Sequence, residues 1–372
     1  MKTFSEQLNE MCPNQSRGDT ASAGNNTFDS VTEVSKKAMM SPNSDIFDDF
    51  LLEALRVAFI FPANFILSVV GVLTNIFNML VQMRLGLKSS MAIGIFALSM
   101  TDLVVTFLQL VISVCYVLDK IYPDYGIDFW AVGVFVFSWA RYMFFFVSGW
   151  ITTTISIERC FCVVSPFQVR TIFTKKRCVA AILFIYAVHF SLIVPIYAVQ
   201  KLIWTSTSSC EDNQTATSVF TFTIVFTEEF IDVQVILNNV YAIALSVTSQ
   251  CIIIVCTIWM IYSLKSSARV RVDENQAILT KPNFTVLSER ERRMVKVVLG
   301  LVILLTSCNI PRYAIICVYY FLPGMNAGSY KNLSDFLWDI SDLLSVINCS
   351  SNFFVYLLLN VNFKKTLATL FN

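Results

Sequence analysis

Charge is scarce in this chain. Of its 372 residues only 14% are Asp, Glu, Lys or Arg, well below the roughly one quarter of an ordinary soluble domain, which excludes a water-facing shell around a globular core. Histidine is scarcer still: His189 stands alone, and no group of His, Cys or carboxylate residues has metal-site spacing. The eleven cysteines include no CxxC pair, so a zinc domain or a small disulfide-built domain is excluded. There is no phosphate-cradling glycine loop and no nucleophile elbow, and no enzyme activity or nucleic-acid partner is expected. Met1 to Pro13 carries Glu6 and Glu10 without a continuous apolar run, so no cleaved signal peptide is expected there.

What the chain does have is apolar surface. Hydrophobic residues make up 56%, Phe alone occurs 32 times, and the mean hydropathy is +0.64. Residues 1–50 read as a polar, disordered tail rich in Ser, Asn, Thr and Asp. In residues 51–360, seven apolar stretches run approximately from Leu55 to Val81, Met91 to Val117, Ala131 to Cys162, Cys178 to Val199, Val235 to Leu264, Met294 to Phe321 and Leu337 to Leu359. Each reaches the ~20 residues that a helix needs to cross ~30 Å of hydrocarbon. Only a helix satisfies its own backbone in lipid across such a run, so an all-α bundle of seven spans is predicted, followed by a short tail over residues 361–372.

Positive charge fixes an orientation. The predicted inner loops and C-terminus collect Lys and Arg, among them Arg170, Lys175, Lys176, Arg177, Arg269, Arg271, Arg290, Arg292, Arg293, Lys364 and Lys365, whereas the outer loops hold only Lys120, Lys201 and Lys331. The expectation is a multi-pass plasma-membrane protein with its N-terminus outside and its C-terminus in the cytoplasm. Glycosylation sequons at Asn14, Asn25, Asn213 and Asn332 fall on the same outer side. Those at Asn283 and Asn348 do not, and are read as chance matches.

Polar residues recur inside these stretches. The first holds Gly71-Val-Leu-Thr-Asn75 and the second Leu98-Ser99-Met-Thr-Asp102-Leu103. The third ends in Ser156-Ile-Glu158-Arg159-Cys160, with Pro166-Phe167 beyond it; the sixth holds Cys308-Asn309-Ile310-Pro311. The seventh runs Asn348-Cys349-Ser350-Ser351-Asn352-Phe353-Phe354-Val355-Tyr356, and Asn362-Phe363-Lys364-Lys365 follows. In order and spacing, from Leu55 onward, this set resembles the rhodopsin-like G-protein-coupled receptors.

The resemblance implies a seven-helix bundle with a short amphipathic eighth helix, an extracellular ligand and a heterotrimeric G protein as partners. It also implies a water-filled, sodium-binding pocket at Asp102 with Asn75, Ser148, Asn348 and Asn352, for which a purely structural polar network is the alternative. Glu158, Arg159, Glu291, Pro311 and Tyr356 would form the activation switch, and Phe167 would touch the G protein or anchor at the membrane interface. No cofactor beyond the sodium ion is implied. Several residues depart from the family pattern: Phe353 replaces a proline, Asn309 a tryptophan, the fifth span lacks a proline, and no cysteine stands near Val134. Cys210 is then either free or paired with Cys115 or Cys12. No lysine in the seventh span offers a retinal attachment, and Arg141 stands where amine receptors resemble one another in an aspartate. Divergent peptide or invertebrate chemosensory receptors are the nearest in character.

Spacing adds a ligand expectation. Arg141 precedes Arg159 by 18 residues, about five helical turns, so both leave the third span on one face, and Arg312 comes to a similar depth on the sixth. Two guanidinium groups at one level of an apolar bundle require partners. Asp342, with Asp339, offers one, and an Arg–Asp bridge that merely fastens helices is one reading. The other leaves an arginine free for an anionic or peptide ligand, with Arg141 and Arg312 as its anchors and Tyr241, Asn238 and Tyr313 nearby. Two wider alternatives are a secondary transporter, against which no paired broken helices appear, and a seven-helix decoy that binds without signalling.

Overall fold

The computed structural model describes residues 48–209, 217–274, 289–321 and 330–371. Seven helices are long and apolar enough to cross a membrane: Asp49–Leu85, Ser90–Ile121, Phe129–Val164, Lys175–Ala198, Asp232–Ser263, Val295–Val318 and Lys331–Leu359, the first to seventh spans below. A short helix, Pro166–Ile172, joins the third span to the fourth, and a final helix, Val361–Phe371, follows the seventh. The expected eighth helix is therefore present.

Side chains start several of these helices. Ser89 Oγ accepts from the amide of Ala92, Asp128 Oδ1 from that of Ala131 at 2.7 Å, and Thr174 Oγ1 from that of Arg177, so amides without a partner in the helix gain one. The spans then pack closely where small residues allow it. A Cβ built on Gly71 would lie 2.4 Å from Ser350 Oγ and 2.5 Å from Thr106 Cγ2, so this glycine lets the first, second and seventh spans meet.

Some helices extend beyond their apolar cores. The seventh span begins at Lys331, before the expected Leu337, and the sixth helix begins at Glu289. Hydropathy detects the lipid-spanning part of a helix, whereas the hydrogen-bonded backbone continues through polar turns. Three spans contain wider π-helical turns, at Arg56–Ile60, Val134–Ser138 and Asn239–Leu245, which periodicity alone did not foretell.

Between the fourth and fifth spans lies a β-hairpin, β1 Gln200–Ser209 antiparallel to β2 Thr217–Phe226, in register from Gln200 opposite Phe226 to Ser209 opposite Thr217. The loop before the third span joins it: Phe222 donates its amide to the Gly126 carbonyl, and Asp128 donates its own to Phe222. Gly126 has φ +74° and no room for a side chain facing the Phe220 carbonyl, so the contact depends on glycine.

The N-terminal end of the first span is fastened on two sides. Glu53 meets Lys120 at 2.6 Å and Tyr116 Oη, Arg56 meets Asp339 at 2.7 Å, and Asn332 Nδ2 donates to Asp49 Oδ1 at 2.6 Å. Two expectations change here. Asp339 is taken by Arg56 and neutralises neither Arg141 nor Arg312. Asn332 is 6% exposed within the seventh span, its amide nitrogen already bonded, so it does not offer a surface acceptor for a glycan. Asn14, Asn25 and Asn213 lie outside the described residues, as do Cys12 and Cys210. Cys115 carries a free thiol, so it forms no bridge to either.

Candidate ligand-binding cavity

Four polar and aromatic positions on the third span organise the centre of the bundle. Arg141 is 1% exposed, and its Nη2 meets Asp342 Oδ2 of the seventh span at 2.7 Å while its Nη1 donates to Ser345 Oγ at 3.3 Å. The next residue, Tyr142, donates to the other carboxylate oxygen of Asp342 at 2.8 Å. One aspartate thus holds two consecutive residues of the third span, and the fastening reading of the arginine pair applies to Arg141. This arginine does not line the cavity described next, contrary to its expected place in a ligand site.

Arg312 is in a different position. It is 5% exposed, and among the described residues no carboxylate forms a salt bridge with it and its Nε has no hydrogen-bond partner. Its guanidinium lies against three rings of the third span: the Cζ is 4.8 Å from the centroid of Phe145, 5.0 Å from Phe146 and 5.7 Å from Tyr142. Cation–π attraction offsets part of the cost of burial, but it leaves the N–H donors uncommitted. The sequence drew attention to the arginine but not to the Tyr142–Phe146 aromatic run, which, beside Arg141, was the available signal.

Arg312 forms part of the wall of a cavity of about 430 Å³, within the range of small-molecule sites. Val134, Ser138, Trp139, Tyr142 and Phe146 contribute from the third span, Gln234, Asn238 and Tyr241 from the fifth, and Trp338 from the seventh. The hairpin adds Gln200, Ile224 and Phe226. Of the expected ligand residues, the cavity therefore gathers Arg312, Asn238 and Tyr241. Tyr241 stacks on Phe146 at 4.8 Å and donates its hydroxyl to the His189 carbonyl, which gives the lone histidine of the fourth span a packing role. Tyr313 turns away, donating to the Ser246 carbonyl of the fifth span.

Deeper in the bundle, Asp102 is fully buried and accepts two bonds of 2.6 Å, from Ser148 Oγ at Oδ1 and from Asn352 Nδ2 at Oδ2. Asn75 bonds to the carbonyls of Gly71 and Cys349 rather than to Asp102. Asn348, one turn before Asn352, is buried as well. Near the C-terminal end of the third span Glu158 accepts from Arg159 at 2.5 Å and from Ser90 Oγ at 2.6 Å. The side chains of Glu291 and Phe167 lie outside the described residues. Tyr356 is fully buried beside Phe363 of the final helix, and Pro311 stands exposed within the sixth span.

With this arrangement in hand, residues 75–356 match the family described as 7 transmembrane receptor (rhodopsin family). The chain belongs to this family. A comparison with curated proteins gives no match. As a receptor of this family it is a multi-pass membrane protein, and its departures from the family pattern acquire structural explanations. Asn309 donates to Gln250 Oε1, and Gln250 donates to Thr306, a polar link between the fifth and sixth spans where the family has tryptophan. Phe353 packs between Phe77 and Phe363, with centroids 6.5 and 5.7 Å away, filling with an aromatic ring the position of the family's proline.

Proposed function

We propose that this receptor resides in the plasma membrane with its N-terminus outside, takes an extracellular anionic ligand into the cavity beneath the hairpin, and activates a heterotrimeric G protein. Arg312 carries the reading: it is a buried cation on the cavity wall without a carboxylate partner. Its planar fork suits a carboxylate or phosphate bidentately, while aromatic and aliphatic side chains take the apolar body. Asn238 and Tyr241 line the same cavity, whereas Arg141 and Asp342 form the frame.

The same arginine supplies a trigger. Without ligand it staples the sixth span to the aromatic face of the third. An anion competes for the guanidinium, and any difference in its hold between two bundle arrangements biases their populations. Arg159, Pro311 and Tyr356 form the path of that change towards the inner face, with Glu291 as a further partner for Arg159 and Phe167 as an anchor for the G protein. A screen of anionic and cationic compounds in cells reporting calcium and cyclic AMP tests the charge class. The best agonists should be anions; a cationic compound as the best agonist would remove Arg312 from the site.

A sodium ion at Asp102 belongs to the same proposal. The donors fit, since Asp102 and Ser148 offer oxygen and Ser99, one turn away, is buried with an unpartnered Oγ. When bound, the ion would neutralise the carboxylate and hold the second and third spans together. Replacing choline by sodium should raise the melting temperature of the purified receptor, and Asp102→Asn should abolish the difference. An equal sodium response in Asp102→Asn would assign the polar network a structural role only.

A further inference from the structure

We propose that the cavity accepts a carboxylic acid that carries a secondary amide, namely an N-acylated amino acid or the free C-terminal end of a peptide. This inference rests on the anionic reading of Arg312 and adds a second pole to it. Gln200 opens β1, lines the same cavity, is 3% exposed, and leaves its Oε1 without a hydrogen-bond partner among the described residues. The cavity therefore has a buried donor without an acceptor at Arg312 and a buried acceptor without a donor at Gln200. Leaving either group unpaired is costly, and a ligand that satisfies both removes both costs.

The chemistry of the second pole follows from what surrounds it. An acceptor oxygen calls for a ligand N–H or O–H. A charged ammonium is disfavoured, because the described residues lining the cavity include no Asp or Glu, and Arg312 already places one positive charge without a salt bridge in a poorly screened space. A neutral N–H remains, and in an amide it comes with a carbonyl, for which Ser138, Gln234 and Asn238 offer donors in the cavity lining. The lining also includes Phe146, Tyr241, Ile193 and Phe230, an apolar and largely aromatic set suited to a hydrophobic side chain or acyl group. The amide nitrogen thus gives its hydrogen to Gln200 Oε1, and the carboxylate accepts from Arg312.

The test uses the purified full-length receptor in lipid nanodiscs, with a panel of N-hexanoyl L-amino acids, the phenylalanine member foremost, and ligand-induced change in melting temperature as the readout. For each binder, the ester isostere that replaces the N–H by oxygen is compared. Members of the panel should raise the melting temperature, and the isostere should bind the wild type at least tenfold more weakly. In Gln200→Met the amide and its isostere should bind alike, while Arg312→Gln should lose both. Equal affinity of amide and isostere for the wild type, which requires no variant to fold, would overturn the proposal. So would an amide preference that survives in Gln200→Met. If simple carboxylates such as hydrocinnamate bind and no amide-bearing acid does, the amide proposal falls and the anionic site stands; if no carboxylate of either kind binds, both fall.

Discussion

Replacing Arg312 by Gln should weaken the response to anionic agonists by between about tenfold and a hundredfold, while leaving the amount of receptor at the cell surface unchanged or higher. The magnitude is that of a charge-assisted hydrogen bond, on the order of 1.5–3 kcal/mol. The sign of the stability effect follows from the geometry. Arg312 is buried without a salt bridge to a carboxylate among the described residues, so its removal takes away a desolvated cation and forfeits its ring contacts with Tyr142, Phe145 and Phe146 and a longer-range attraction to Asp342. Groups kept for ligand binding commonly cost stability in this way. Dose–response curves and thermal melting of the same variant check both halves. Undiminished potency with an anionic agonist would show that the guanidinium is not its anchor.

Asp342→Ala should have the opposite character. It strands Arg141, 1% exposed, and frees the hydroxyl of Tyr142. Breaking one side of a buried ion pair typically costs about 3–5 kcal/mol, enough to deplete folded receptor at the surface. A double variant, Arg141→Met with Asp342→Leu, removes both charges and should recover much of that loss. Asp339→Ala provides the control: its bridge to Arg56 is roughly a quarter exposed on each side, and such pairs contribute about 1 kcal/mol or less. Equal destabilisation by Asp339→Ala and Asp342→Ala would contradict the distinction between a surface fastening and a buried frame.

The two arginines show what a sequence discloses and what it withholds. Helical rise placed Arg141 and Arg312 at one depth, and the apolar stretches gave the seven spans, because both follow from one-dimensional regularities: 1.5 Å per residue and the thickness of hydrocarbon. Which arginine is paired depends on side-chain reach between the third and seventh spans, and spacing along a single helix does not contain that information. Asp339 illustrates the same limit, since its partner Arg56 stands near the N-terminal end of the first span. The Asn332 sequon is a local pattern that is blind to burial. The hairpin was not read from the sequence. Ser and Thr alternate with apolar residues along its strands, the two-residue period of a half-buried strand, but that pattern was passed over, and the three cavity residues that it supplies, Gln200, Ile224 and Phe226, were missed with it. Asp102 was the clearest case, because a carboxylate in mid-membrane demands partners, and Ser148 and Asn352 are among those expected.

The central claim is that an anion on Arg312 drives nucleotide exchange, and reconstitution measures it directly. Wild-type receptor and Arg312→Gln, each in nanodiscs with a purified heterotrimeric G protein, are compared for nucleotide exchange with and without an anionic agonist found by screening. The account predicts stimulated exchange in the wild type, basal exchange in the variant at or above that of the wild type because the Arg312 staple is gone, and little or no further stimulation of the variant at the same agonist concentration. Stimulation of equal size in the two proteins, or stimulation of the wild type by cationic compounds alone, would contradict it.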